Sequence, residues 1–345
     1  MKFRTWLSIV TALAIVLIVF FSRHELLQAW ELLGRVNVWI LILIIPAQFL
    51  SYYAVGAMIL DYLRAKGELV KFGGWQMARV ALELNFVNHT LPSGGVSGIS
   101  YMNWRLKHLG VSTGRATLAQ AVRFMASFGA YLVLLLIALI FMTIDGNVSR
   151  FTILVSAILG TSIIFGTLFV IYIISSESRL QSFSHGLSRT INGFGRKIIR
   201  RRKQLVSQAN IEKVFVDLHA DYLEIRRDPK VLKKPILWAF VFNLSELAMF
   251  MLAFAALGSW VNPAPLLIAY GVAGLAGLLV ITPGGAGAYE ALMISFLASA
   301  GVVQDVAIAG ILLARVTLML GTIISGYIFY QLTLLRYGKN SPQRQ

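Results

Sequence analysis

Apolar residues fill this chain in runs long enough to cross a bilayer, separated by short polar stretches. The first, Trp6 to Phe21, follows Lys2 and Arg4 and leads into Phe21, Ser22, Arg23 and His24 with no small-residue cleavage site. It reads as an uncleaved first helix with a cytoplasmic N-terminus. Val36 to Leu60 is long enough to span, with Pro46 as a tolerated kink. Ala116 to Met142, Phe151 to Ile174, Ile236 to Leu257 (opened by Pro235) and Val306 to Leu335 are further candidate spans.

Two segments break this pattern. Trp75 to Leu91 is apolar but punctuated by Arg79, Glu83, Asn85, Asn88 and His89, and it runs into Pro92, Ser93, Gly94 and Gly95. Leu266 to Ile281 runs into Thr282, Pro283, Gly284 and Gly285, and Ala286 to Ala300 continues after the break. Proline supplies no amide donor and glycine favours non-helical backbone, so each break frees peptide groups that hydrocarbon cannot satisfy. Such backbone has to be buried in protein or line a wet cavity.

The two breaks are echoes of each other. A Gly-Val pair follows each at one spacing, Pro92 to Gly110 and Pro283 to Gly301, and each then leads to an arginine inside an apolar helix. Pro92 to Arg123 is 31 positions and Pro283 to Arg315 is 32, which marks two diverged copies of one unit. Arg105, Lys107, His108 and Arg115 form a basic turn after the first break, so Trp75 to Leu109 is expected to enter and leave on the cytoplasmic side as a re-entrant hairpin. Counting spans from there, the helix of Arg123 runs outward and that of Arg315 runs inward, which predicts inverted-topology repeats. Leu266 to Ala300 reads either as two crossing half-helices or as a second hairpin from outside.

Glu177 to Lys234 is the sizeable polar region, rich in Lys and Arg, and the positive-inside rule places it in the cytoplasm. Ile211, Val214, Phe215, Leu218, Tyr222 and Ile225 recur at helical spacing within it, predicting amphipathic helices along the inner leaflet with anionic lipids as partners. The tail, with Arg336, Lys339 and Arg344, is expected to be cytoplasmic too. The fold class is therefore an all-α polytopic integral membrane protein of the plasma (inner) membrane, with roughly 8 spanning or half-spanning segments. Its organisation is a single domain over 1–345: an N-terminal part 6–174 with the first repeat at 75–142, a basic loop 175–235, and a C-terminal part 236–335 with the second repeat.

Composition agrees: 57% of residues are hydrophobic, 13% are charged, and mean hydropathy is +0.74. A soluble chain would carry about 25% charged residues. About half of the net charge of +16 lies in the basic loop, and the charge is no sign of nucleic-acid binding. With no cysteine, thiol chemistry, disulfides and Cys-ligated metals are excluded. Glu83, Glu246 and Glu290 are scattered along the sequence and the five histidines share no metal-ligand spacing, so a membrane enzyme with paired acids or a metal is not indicated, and no cofactor is expected.

The residues of the breaks also carry a resemblance. Pro283, Gly284, Gly285, Tyr289, Glu290, Gly301, Val302 and Arg315 resemble the C-terminal signature of the lysylphosphatidylglycerol synthase transmembrane-region family, which includes the flippase half of the bacterial multiple peptide resistance factor. Pro92, Ser93, Gly94, Gly95, Arg105, Gly110, Val111 and Arg123 are similar to its N-terminal signature. Where that family often has acids after the first Gly-Gly and before the first buried arginine, this chain has Ser97, Gly98 and Val122. The soluble aminoacyl-transferase domain is not represented in the 345 residues, so the resemblance implies lipid translocation without lipid synthesis.

The chemistry points the same way. Helix N-termini after a glycine break suit a phosphate, and arginine grips phosphate through two parallel hydrogen bonds. The candidate substrate-binding set is Arg79, Glu83, Asn88, Pro92, Gly94, Gly95, Arg105, Arg123, Pro283, Gly284, Gly285, Tyr289, Glu290 and Arg315. Arg79 and Glu83, spaced i, i+4, read equally well as a structural ion pair, and Arg123 as a snorkelling residue. Expected partners are membrane lipids: phospholipid, aminoacyl-phospholipid or a polyprenyl-phosphate-linked cargo. A homo-oligomer is left open. Two other functions compete, a non-catalytic scaffold for a lipid- or glycan-modifying enzyme and a transporter of a small soluble anion.

Overall fold

In a computed structural model of the chain, residues 36–91, 96–144, 149–183, 208–279 and 287–337 are described, with Gly34 and Gly186. The expected first helix, the core of both glycine breaks, the tail beyond Tyr337 and part of the basic loop lie outside the described residues. Everything described is helical or connecting: α1 Val38–Ile42, α2 Ile44–Ala65, α3 Gly74–Thr90, α4 Val96–His108, α5 Thr113–Ile144, α6 Arg150–Ile174, α7 Gln208–Arg227, α8 Lys233–Ala256, α9 Pro263–Leu279, α10 Ala288–Ser299 and α11 Gln304–Tyr337. Five stretches are long and apolar enough to cross a membrane, Val38–Ala65, Thr113–Ile144, Arg150–Ile174, Pro229–Ala256 and Gln304–Leu335. The chain is a multi-span helical membrane protein.

Local chemistry sets the helix ends. The Asn37 side chain caps α1 by accepting from the Trp39 and Ile40 amides at 3.1 and 3.4 Å. The interruption at Leu43 falls three residues before Pro46, whose ring and missing N–H disturb the turn ahead of it. Proline at the very start is harmless, because the first amides of a helix have no internal partner. Hence Pro235 sits in the first turn of α8, and α9 begins at Pro263, three residues before the expected Leu266.

The two units share one succession of elements. A 17-residue helix, a break, a short helix of 13 or 12 residues, a glycine turn and a helix of 32 or 34 residues make up α3–α4–α5 and again α9–α10–α11. Both turns are built alike. Gly110 and Gly301 each have φ +92°, and the Val111 and Val302 amides reach back to the Leu106 and Leu297 carbonyls at 3.0 Å. This closing pattern ends a helix with a residue in the left-handed region, where only glycine is unstrained.

Two apolar cores lie along the bundle. One joins α5 beyond Tyr131 with α6, α8, α9, α10 and the first half of α11; the other joins α2, α3, α4, the start of α5 and the end of α11. α5 and α11 thread both. Helices come close where small residues let them, as expected when packing rather than water exclusion drives association. A Cβ on Gly56 would meet the Met77 carbonyl at 2.8 Å, so α2 rests directly on the backbone of α3. α6 is the least embedded span: Phe165, Leu168 and Phe169 are more than half exposed, as side chains facing lipid would be.

One end of the bundle collects the charges. Arg115 at the start of α5 pairs with Glu68 at 3.1 Å and with Asp221 of α7 at 3.2 Å, and Lys66 pairs with Glu224 of α7 at 2.8 Å. The hydrogen bond from Lys66 holds the Glu224 carboxyl below its ordinary pKa. α7 does have the expected apolar stripe, but Leu218, Tyr222 and Ile225 turn it against the protein core. Loops at the other end meet through the Asn37 amide and the Ala256 carbonyl, 2.8 Å apart.

Candidate functional site

The interrupted helices bring together polar side chains that the sequence keeps far apart. Glu83 of α3 is fully buried. It accepts hydrogen bonds from Tyr101 of α4 at 2.5 Å and Thr333 of α11 at 2.7 Å, is bridged by Arg79 at 3.1 Å, and has the Arg105 guanidinium 3.8 Å away. Arg79 also reaches the Phe329 carbonyl and Thr333 at 3.4 Å and lies over the Phe329 ring. A lone carboxylate at this depth would be costly, and this one is offset by two cations and two hydroxyls. Arg105, read in the sequence as part of a basic turn and as a candidate binding residue, is buried beside Glu83.

Asn88 holds the α3–α4 hairpin closed. Its side-chain oxygen accepts from the Gly98 amide at 2.7 Å, occupying one of the free donors at the start of α4. A Cβ on Gly98 would lie 2.3 Å from that oxygen, so an acid at 98 does not fit this cap. Asn88 thus has a structural task, whatever else it contacts.

The second unit gathers its own cluster where α10 begins. Arg315 donates through Nε to Glu290 at 2.6 Å and stacks 4.3 Å from the centre of the Tyr289 ring. The other Glu290 oxygen accepts from the Gly287 amide at 2.7 Å, satisfying a free donor at the start of α10 directly after the glycine break. Glu246 of α8, bonded by Ser51 of α2 at 2.6 Å, lies within electrostatic reach of Arg315, and so does His89 at the end of α3. The acids read as scattered in the sequence are therefore drawn closer: Glu290 pairs with Arg315, and Glu246 lies within electrostatic reach of that arginine. His89, just before the first break, and Gly287 to Glu290, just after the second, thus lie within electrostatic reach of one arginine. Pro92, Gly94, Gly95, Pro283, Gly284 and Gly285 lie outside the described residues.

Arg123 joins neither cluster. It is 8% exposed, lies over the Phe124 ring, and has no acidic partner among the described residues, with Val122 packed into the core beside it. Sequence reasoning missed Ser51, Tyr101 and Thr333. Their signal was a hydroxyl on an otherwise apolar helix, too common to stand out unaided. Among the described residues, no group of three His, Asp or Glu is placed to hold a metal.

Spanning helices of this number, interrupted units of one design and buried ion pairs define a polytopic membrane protein with a polar interior. A family model described as the lysylphosphatidylglycerol synthase TM region matches residues 5–326 of the 345, and the chain belongs to that family. No curated protein and no solved structure matches it.

Proposed function

We propose that this protein moves an anionic, phosphate-bearing lipid between the leaflets of the inner membrane, translocating it without chemical change. The observation that carries the reading is the Arg315–Glu290 pair directly after the second break, with Glu246 and His89, at the end of the first unit's α3, within electrostatic reach of the arginine. Family membership supports a lipid-related role.

In this reading the units are inverted repeats. The α3–α4 hairpin has both outer ends at the charged end, where Arg115 meets Glu68, and that end faces the cytoplasm by its basic residues. α10 ends near the start of α6, with the Phe151 and Phe296 rings 6.1 Å apart, so the α9–α10 hairpin opens to the opposite side. Two half-helices entering from opposite faces put their tips near the midplane, where transporters of this architecture bind cargo.

A lipid phosphate arriving there competes with Glu290 for the guanidinium of Arg315, which can offer it two parallel hydrogen bonds. The exchange frees Glu290 from its arginine and loosens the cap on α10, giving the hairpin a reason to move when cargo is bound. Glu246 is the acid available to an amine on the headgroup, as an aminoacyl lipid would carry. Hydrocarbon tails remain in the bilayer.

Reconstitution into liposomes with a panel of fluorescent phosphatidylglycerol, aminoacyl-phosphatidylglycerol and polyprenyl-phosphate lipids tests this. Wild type should move at least one of them. Arg315→Ala and Glu290→Gln should each slow it by at least tenfold, and equal rates in all three proteins would sink the assignment.

A further inference from the structure

Arg123 is a buried cation without a counter-ion among the described residues, and it faces space. It lines a cavity of about 210 Å³ between α2, α5, α8 and α9, whose polar wall is formed by Ser127, Asn243 and Tyr270. Its Nε is buried and makes no hydrogen bond, and no ion pair satisfies the side chain among the described residues. The Asn243 amide donates to the Ser127 and Ala239 carbonyls at 3.1 and 2.9 Å, so the wall is held in place without using the arginine. Among the described residues, the Phe124 ring, 4.2 Å from the guanidinium carbon, is the group that compensates its charge. A guanidinium buried this way is stabilised by an anion that brings its own oxygen acceptors.

The cavity shares a wall with an apolar groove. Phe124, Phe128, Ile163 and Leu275 line both the cavity and this groove of about 510 Å³ along α5 and α6. That groove opens beside the lipid-facing side chains of α6. A charged pocket sharing a wall with an apolar trough that faces lipid matches a molecule with an anionic head and a hydrocarbon chain. A free inorganic anion would have to cross that trough with no chain to fill it.

We propose that the Arg123 cavity binds the phosphate of a membrane phospholipid whose acyl chain lies in the groove between α5 and α6. The site is separate from the Arg315 cluster but adjacent to it, because Tyr270 lines the cavity and is also in electrostatic contact with Glu246 and Tyr289. It therefore serves as a lateral holding site from which cargo is passed inward. This deepens, and rests on, the reading of the protein as a phospholipid carrier, while its test reads occupancy and needs no transport.

The test is photo-crosslinking of the purified full-length protein with phosphatidylglycerol bearing a diazirine on one acyl chain, with peptide mapping by mass spectrometry. Label is expected on the peptides of Phe124, Phe128 and Ile163. It should fall at least fivefold in Arg123→Ala and stay within twofold of wild type in Arg315→Ala, so a failure of the transport site is told apart from a failure of this one. Gly166 lines the groove and a Cβ there meets nothing, so Gly166→Leu should fold normally and also cut the label at least fivefold. Diazirine-labelled diacylglycerol, without phosphate, should label these peptides no more than other lipid-facing ones. Unchanged label in Arg123→Ala, equal label from diacylglycerol, or displacement by millimolar inorganic phosphate would each overturn the proposal.

Discussion

The buried ionisable residues do different work although each is an acid or arginine in an apolar helix. Glu83 is saturated by Arg79, Arg105, Tyr101 and Thr333, and so ties α3, α4 and α11 together. Removing it strands buried cations, so Glu83→Ala should destabilise the protein by about 3 kcal/mol, the usual cost of leaving a buried partner uncompensated. Glu83→Gln keeps one acceptor oxygen for a hydroxyl and the shape of the side chain, and should cost less. Thermal unfolding in detergent checks both, and an Ala variant as stable as wild type would contradict the role. The i, i+4 spacing of Arg79 and Glu83 made their pairing legible in the sequence. The contributions of Tyr101 and Thr333 were not legible, because they depend on how α4 and α11 cross α3. Arg315 and Glu290 were identified as site residues from their place after the glycine break, but their direct pairing over 25 positions needed the fold.

At the scale of elements, the repeat was the most legible feature. Proline, glycine pairs and the Gly-Val step recur at one spacing because each is a backbone requirement, and backbone requirements leave a visible trace in sequence. Gly110 and Gly301, both at φ +92°, make the comparison quantitative. A side chain there adopts the left-handed conformation at a cost of about 1–2 kcal/mol. Gly110→Ala and Gly301→Ala should therefore lower stability by similar amounts, measured by the same unfolding assay, and a large difference would argue that the turns are not equivalent. The basic segment was less legible. An amphipathic stripe says that one face is covered, not what covers it, and in α7 the cover is the protein itself, locked by Lys66–Glu224 and Arg115–Asp221.

For the molecule as a whole, two similar units built around separate cores pack on each other through α3 and α11, and the lipid-facing α6 leaves an apolar trough beside them. Hydropathy revealed the spans because the bilayer imposes a length on them; it could not reveal the trough, which arises from how loosely α6 packs on α5. The account stands on the Glu290–Arg315 pair acting as the gripping point for cargo and not merely as a structural tie. Replacing both charges at once separates these roles, since a buried pair replaced by neutral residues often keeps its stability. The decisive measurement is lipid translocation and thermal stability of Glu290→Gln/Arg315→Met in one preparation. The account predicts stability near that of wild type with translocation at least tenfold slower; recovery of translocation together with stability would contradict it.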